Sequence, residues 1–540
     1  MCIVHCQLKW AIGLAWLFTA INVQADSDPY RAAQAVDRLL ARETVGERVS
    51  ELSPQCNDET FLRRVFLDLI GKPPSERDIL AFCLDANEGK RKVLVENLLA
   101  DREFGANWSR YWRDVIMYRR TEDRALIAAA SLTDFLQKQL NDNRPWNETA
   151  TALITAAGDA RENGNTGLIV AQAGMPEDVT AEVSRIFLGV QIQCAQCHDH
   201  PTDRWKREQF HHMAAFFPRI GVRLNPADRS LVVTTTDFEM RRRPMNNNRF
   251  FGTLEHYMPD KDDPSSKGTL MQPVFFLSEQ KLPTGVKDAD RRGTLAEWIT
   301  ARENPWFAKA FVNRIWAELV GEGFYEPVDD IGPDREQSAP QTLDHLSQEF
   351  AAGGYDVKWL FRTVMATQAY QRESRSRRTP EGTPFVASCA QRLRAEQLFS
   401  SLLSVLNLEG RLPAPPANMG PMFLRRDPQS LFNTVFGYDP SEPRGEVASS
   451  IPQALTLMNS PMFHQALSAR RPDTLGRVLA NNADNDAAVS ELYLNTLGRV
   501  PSKFETEECL LYICDVGDRN EAFEDILWSL INSTEFMYRK

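Results

Sequence analysis

The 540-residue chain lacks the short motifs that mark several common enzyme classes. It contains no G-x-S-x-G nucleophile turn, no H-E-x-x-H helix and no glycine-rich phosphate loop. The chain also has no net positive charge, since 62 Lys and Arg stand against 73 Asp and Glu and give a formal net charge of -11. So acidic a chain has little attraction to nucleic acid or to anionic lipid. The sequence therefore supports neither a standard hydrolase nor a nucleic-acid-binding protein.

Long apolar runs are missing beyond the first 25 residues. The run from Trp10 to Ile21 follows Lys9, and the small residues at 23–25 precede Asp26, which is the pattern of a secretory signal peptide. An uncleaved membrane anchor is the rival interpretation, but the run is shorter than the roughly 20 residues of a spanning helix. We predict a signal peptide at residues 1–25, export to the periplasm or the extracellular space, and no stable membrane span after cleavage.

Cysteine is scarce as well, with nine in the whole chain. Cys2 and Cys6 belong to the predicted signal peptide, which leaves seven. Export places these thiols in an oxidising compartment, where disulfides form. Spacing does not reveal their connectivity. The cysteines outside the central motif that are candidates for pairing are Cys56, Cys83, Cys389, Cys509 and Cys514.

The informative residues lie at 193–201, where the sequence is QCAQCHDHP. Cys194 and Cys197 have the spacing C-x-x-C, and His198 follows directly, which is the attachment signature of c-type haem. In such a site the two thiols bond to the haem vinyl groups and the histidine ligates the iron. The composition gives a chance match of about 0.2% for this motif. We predict haem c at Cys194, Cys197 and His198.

Two other interpretations of the motif stay open. Zinc would take Cys194 and Cys197 as thiolates, and two histidines would complete a tetrahedral set. A local redox disulfide is the second alternative, although no thioredoxin-like βαβ pattern surrounds the cysteines. The histidines that are candidates for zinc are His198, His200, His211 and His212.

The second axial ligand of a bound haem is a separate question. His200 is too close to His198 in sequence to reach the opposite face of the haem. His211 or His212 could reach it after a chain reversal at Pro201, and Met213 is a softer alternative that would raise the reduction potential. We predict a histidine in this position. The competing interpretation is a surface helix with polar histidines.

Apolar residues recur at helical spacing along most of the chain and predict a mainly α protein. Glycine and serine signals at Gly71 and Ser75 indicate where one helix ends and the next begins. We predict a helical cytochrome c-like domain at 26–217, a small β-rich insert at 218–290 and a helical C-terminal domain at 291–540. The insert is predicted from strand patterns at 231–236 and 274–277, which are separated by loop-forming residues.

Residues 178–190 predict the helix that presents the motif at its C-terminal end. A second pattern indicates a degenerate helical repeat at the two ends of the chain, although generic stop and cap signals would also produce it. The paired segments are 66–75 with 493–502, and 96–104 with 528–536.

A second candidate site contains Arg314, Asp329 and Asp330. Two adjacent carboxylates in a turn can bind a cation or take part in acid–base chemistry, with the arginine as an ion partner. The alternative is an aspartate-rich turn whose side chains cap a helix and pair with arginine.

These motifs resemble two domain families. The first half is similar to a secreted planctomycete cytochrome c-like domain of unknown function, and the second half to the planctomycete secreted domain that usually follows it. The resemblance implies haem c and export, and it implies no established reaction. Many relatives carry a further N-terminal cytochrome module with its own C-x-x-C-H, which this chain lacks. The resemblance rests on residues 61–71, 187–201, 203–205, 295–316, 329–332 and 369–370.

The sequence therefore favours an exported, single-haem, c-type electron-transfer protein that works with a separate periplasmic redox protein. A zinc-stabilised binding or scaffold protein is the first alternative. An enzyme of unknown substrate, using the haem or the cluster of Arg314, Asp329 and Asp330, is the second.

Overall fold

Helices dominate the structure, and the strands are few and short, which confirms the predicted mainly α fold. The predicted signal peptide lies outside the described residues. No described helix is long and apolar enough to cross a membrane. The computed structural model describes residues 28–45, 52–237, 254–263, 265–375, 382–411, 428–444 and 450–540.

The N-terminal part consists of helices that pack together through buried aromatic side chains. Trp112, for example, stacks on Phe311 of a later helix with parallel rings. The α-helices in this part are α1 Pro29–Leu40, α2 Asp58–Ile70, α3 Glu76–Cys83, α4 Lys90–Ala100, α5 Arg102–Met117, α6 Ala129–Asn141, α7 Trp146–Ile154, α8 Gly167–Ala171, α9 Pro176–Leu188 and α10 Arg207–Ala214.

The strands of the middle segment form small antiparallel sheets. The predicted strand at 231–236 is confirmed as β3, and β3 lies between β1 and β2. The predicted strand at 274–277 is wrong, because Val274 makes one isolated bridge with Lys281 and a turn follows. Phe275 and Phe276 are buried within that turn, so their apolar character reflects core packing. The strands are β1 Gly158–Asp159, β2 Ile220–Leu224, β3 Leu231–Thr235, β4 Tyr257–Met258 and β5 Thr269–Leu270.

The C-terminal part is again helical. It continues with α11 Asp288–Thr300, α12 Pro305–Val320, α13 Pro340–Ala352, α14 Val357–Ala366, α15 Gln368–Gln371 and α16 Ala395–Val405. Further helices span Pro428–Phe436, Ile451–Asn459, Pro461–Ala466, Thr474–Asn481, Asn485–Leu497, Lys503–Val516, Arg519–Ile531 and Thr534–Met537. The short strands are β6 Ser374–Arg375, β7 Ser388–Cys389, β8 Gln391–Arg392 and β9 Tyr538–Arg539.

The two ends of the chain contain the same local structures that the repeat pattern predicts. Gly71 ends α2 with φ +74°, and Gly498 ends the helix Asn485–Leu497 with φ +76°, in the left-handed region that glycine adopts without strain. Ser75 and Ser502 then cap the following helices through reciprocal side-chain and backbone hydrogen bonds. The two units also touch, since the Arg63 guanidinium on α2 donates to the Thr496 carbonyl.

The hydrophobic core does not separate the two halves of the chain. One cluster of buried side chains extends from Ala32 to Phe385, and a second extends from Leu393 to Phe536 and includes Leu67 of α2. A buried ion pair ties the last strand to α2, because Arg539 Nε donates to both carboxylate oxygens of Asp68 at 2.9 Å. The predicted domain boundaries at 217, 290 and 291 stay predictions.

Candidate functional site

Helix α9 presents the C-x-x-C-H turn, as residues 178–190 predict, although it begins at Pro176 and ends at Leu188. Gly189 follows with φ +68°, and a Cβ at this position would lie 2.6 Å from the Ile331 side chain. The Gly189 carbonyl also accepts a hydrogen bond from the Ile331 amide at 2.6 Å. Glycine is therefore required here by the backbone angle and by the close approach of the second half of the chain.

Both cysteines of the motif are exposed on a tight turn. Residues Ile192–Gln196 form a 3₁₀ helix, and Ile192 and Ala195 are fully buried on its inner face. Cys194 lies within this helix and Cys197 directly follows it. Both are exposed free thiols, so both are accessible from solvent.

The hydrogen bond of His198 selects one tautomer of its exposed imidazole. Its Nδ1 lies 2.7 Å from the Asp199 carbonyl oxygen, which can only accept, so Nδ1 carries the proton. The neutral ring then keeps its lone pair on Nε2, the atom that a metal ion would bind. His200 has the opposite arrangement, because its Nδ1 accepts from the Thr202 amide at 3.3 Å. The structure thus distinguishes His198 from His200 as a ligand.

Asp199 ties the motif to the start of α10. Its carboxylate accepts from the Arg207 amide at 3.0 Å and lies 3.1 Å from Lys206 Nζ. The backbone hydrogen bond from Arg207 and the neighbouring ammonium hold the pKa of Asp199 below its usual range. Trp205, which is buried edge-on against Phe276, anchors the chain between these contacts. The motif is therefore held at both ends by the folded core.

The predicted ligand His211 is buried and uses both ring nitrogens. Its Nε2 lies 3.0 Å from the Gln196 carbonyl, which requires a proton on Nε2. Its Nδ1 then accepts from His256 Nε2 at 2.9 Å. Burial lowers the pKa of His211 to about 4 and that of His256 to about 3, so both rings are neutral. His211 thus supports the C-x-x-C-H turn from beneath.

The two neighbours of His211 differ from each other in accessibility. Met213 is fully buried in the core. The His212 side chain is 25% exposed, and its Nδ1 donates to the Gln272 carbonyl at 2.8 Å, which leaves the lone pair on Nε2. The assignment of a distal ligand to His211, His212 or Met213 stays a prediction.

The zinc interpretation requires four ligands around one point. Within the described ranges, no group of three or more His, Cys, Asp or Glu side chains is arranged to hold a metal ion. His211 in particular would have to break its bonds to Gln196 and His256 to become a ligand. Cys194 and Cys197 themselves are free thiols.

The second candidate site is a buried ion-pair network. Asp329 accepts from Arg185 Nη1 at 2.9 Å and from Arg314 Nη2 at 3.2 Å, and its other oxygen accepts from Gln191 at 2.8 Å. Burial alone would raise the pKa of Asp329, but the two guanidinium groups hold it well below its usual range. Asp330 pairs with Arg335 instead. Asp329 and Asp330 therefore pair with arginines, as the alternative interpretation predicts, but neither caps a described helix.

Sequence reasoning missed two residues of the site. His256 lies 45 residues beyond its partner His211, in a segment without a helical or strand pattern. Glu177, the second residue of α9, places Oε1 3.8 Å from His256 Nδ1, and burial raises its pKa. No local spacing signals such contacts, because only the folded chain brings these segments together.

These features define a mainly helical protein with an exposed C-x-x-C-H turn. Two family models match the chain. PSCyt2, a protein of unknown function (DUF1549), matches residues 35–221, and PSD1, a protein of unknown function (DUF1553), matches residues 291–513. The chain therefore contains a PSCyt2 domain followed by a PSD1 domain, in the order that the resemblance predicts. Neither a curated protein nor a solved structure matches the chain.

Proposed function

We propose that this protein is an exported c-type haem protein that exchanges electrons with a separate redox protein. The observation that carries the proposal is the exposure of both Cys194 and Cys197 on one tight turn. Two thioether bonds to one haem edge require both thiols to face the same side and to be accessible from solvent. The cytochrome-like name of the first domain agrees with this chemistry.

The tautomer of His198 gives independent support. A proximal histidine binds iron through Nε2 while its Nδ1–H donates to a nearby acceptor. His198 already has this arrangement, because Nδ1 lies against the Asp199 carbonyl. Cys194 and Cys197 would hold the haem covalently, and His198 would bind its iron. When bound, the haem supplies one-electron redox chemistry.

The surrounding residues favour electron transfer over substrate chemistry. The motif is exposed, so a partner protein can approach it closely. His211 and Asp199, the polar residues that hold the motif, have hydrogen-bond partners within the protein. The carboxylate of Asp329 is saturated by arginine pairs, and its side chain is only 1% exposed. Neither place offers a free general acid or base in contact with the motif.

His212 is the best candidate for a distal ligand on α10. Its Nε2 keeps a lone pair, the side chain is partly exposed, and the neighbour of Nε2 is the exposed Glu208 carboxylate at 3.6 Å. By contrast, His211 is bonded at both nitrogens and Met213 is fully buried. Use of His211 would cost the hydrogen bonds that support the turn. Use of Met213 would require its removal from the core.

Export is part of the proposal, because c-type haem is attached on the outer side of the bacterial cytoplasmic membrane. The apolar run at 10–21 and the small residues at 23–25 supply the signal. The secreted protein should therefore begin near Asp26, as determined by N-terminal sequencing. Recovery of the full-length chain in the membrane fraction would contradict cleavage.

The haem is tested by expressing the full chain with haem-maturation machinery and recording a pyridine haemochrome spectrum. Wild-type protein should give a c-type spectrum that survives denaturation, and the double variant Cys194→Ser, Cys197→Ser should lose it. Cys514→Ser is the matched control, because Cys514 is an exposed thiol far along the chain and should leave the spectrum unchanged. Zinc by elemental analysis without any haem would refute the proposal and support the scaffold alternative.

A further inference from the structure

A cleft lies away from the C-x-x-C-H turn. It has a volume of about 270 Å³ and opens between α1, α4 and the helices α14 and α15. Residues of both domain families form its walls. Nothing in the redox proposal uses this cleft.

Three cations line the cleft. The guanidinium of Arg91 lies over the Phe61 ring at 4.5 Å, and the ammonium of Lys92 lies over the Tyr30 ring at 3.8 Å. Arg362 enters from α14 on the opposite wall. Each long side chain is thus fixed against a neighbour, so little of its freedom would be lost when it binds a ligand.

The carboxylates that hold two of these cations lie outside the cleft. Asp58 accepts from Arg91 Nη2 at 2.8 Å, and Glu96 accepts from Arg362 Nε at 2.8 and 2.9 Å. Neither acid lines the cavity, where Glu88 is the single carboxylate among the described lining residues. Arg91 and Arg362 are thus paired with acids, and Lys92, which makes no ion pair among the described residues, supplies the unpaired positive charge that lines the cleft.

Arg362 presents unused donors to this space. Its Nε is engaged by Glu96, but its two terminal nitrogens have no hydrogen-bond partner in the described part of the chain. Its side chain is 25% exposed. A guanidinium anchored at Nε with both terminal groups free has the geometry that binds a carboxylate or a phosphate through two parallel hydrogen bonds.

The floor of the cleft is apolar but largely covered. Phe61, Val95 and Met365 line it and are almost completely buried, and Arg91 lies over the Phe61 ring. The amide side chain of Gln371, fixed by a hydrogen bond from Arg91 Nη1 at 3.2 Å, adds a polar group at the edge. A ligand in this cleft would therefore be held mainly by the cationic side chains and by this amide.

We propose that this cleft binds a small organic anion, with its carboxylate or phosphate group on Arg362 and Lys92. Both anionic groups would use the same donors. The proposal is independent of the haem.

The test is calorimetric titration of the full chain at low salt with phenyl phosphate, with benzoate and with neutral benzamide. We expect at least one of the two anions to bind with a Kd below about 1 mM and benzamide to bind at least tenfold more weakly. Tighter binding of phenyl phosphate would assign the site to phosphates, and tighter binding of benzoate would assign it to carboxylates. Failure of both anions, or equal binding of benzamide, would overturn the proposal.

Substitutions of residues that line the cleft test whether the anion binds there. Arg362→Gln should raise the Kd of the anion by at least about tenfold, because it removes a positive charge together with the paired donors. Lys92→Gln, at an exposed position, gives a second variant whose fold is not at risk. Arg31→Gln is the control, because Arg31 follows Tyr30 on α1 but its side chain is 89% exposed and does not line the cleft. If Arg31→Gln weakens binding as much as the other two, or if neither Arg362→Gln nor Lys92→Gln weakens it, the cleft is not the site.

Discussion

The paired imidazoles of His211 and His256 should make this protein sensitive to acid. Both rings are neutral and buried, with pKa values that burial lowers to about 4 and about 3. In the unfolded chain a histidine has a pKa of about 6.5. The unfolded state therefore takes up protons first, and stability falls as the pH falls below about 6.5 toward the lower folded values.

The size of the effect follows from these values. Between pH 7 and pH 5 each imidazole should remove about 2 kcal/mol from the free energy of unfolding, and the pair about 4 kcal/mol. Arg207 and His212 lie close to His211 and disfavour its protonation further. Glu177 acts in the opposite direction, because burial raises its pKa and its stabilising contribution grows as the pH falls. Comparing wild type with a variant that keeps Glu177, Arg207 and His212 cancels the contributions of these three residues.

The assay is urea-induced unfolding at pH 7 and at pH 5, followed by tryptophan fluorescence. His256→Gln keeps a side-chain donor for His211 Nδ1 and removes one ionisable group. Between pH 7 and pH 5 the free energy of unfolding of this variant should therefore fall by about 2 kcal/mol less than that of wild type. His464→Gln, at an exposed histidine, should behave as wild type. If His256→Gln loses as much stability as wild type, the buried pair is not the source of the acid sensitivity.

Three other changes test the site and its support. Gly189→Ala should lower the melting temperature, with a cost of roughly 1–3 kcal/mol for a left-handed alanine in contact with a neighbouring side chain, whereas Gly517→Ala, whose Cβ would meet no atom within 4 Å, should cost less. Asp329→Asn should destabilise the protein by about 3–5 kcal/mol in urea at pH 7, because it removes the carboxylate that pairs with the buried Arg314, and a change below about 1 kcal/mol would refute that account. His212→Ala in haem-loaded protein should convert the oxidised absorption spectrum from low spin to high spin, and an unchanged spectrum would exclude His212 as the distal ligand.

Local signals explain why much of the fold is predictable. The end of α2 at Gly71 and the start of α3 after Ser75 depend on contacts within a few residues, so the sequence carries them directly. The turn at 274–277 shows the limit, because an apolar run is equally compatible with a strand and with a buried turn. The surrounding packing of Phe275 and Phe276 selects the turn.

The sequence by itself determined the C-x-x-C-H motif and the mainly helical fold, because spacing, periodicity and capping are properties of neighbouring residues, and the order of the two domains followed from the resemblance of its motifs to two families. Only the tertiary structure decided that His211 pairs with His256 and that Asp329 is buried against Arg185 and Arg314. These contacts join segments up to 144 positions apart. Burial and hydrogen bonding across such distances depend on how the helices pack, and no local pattern specifies that packing.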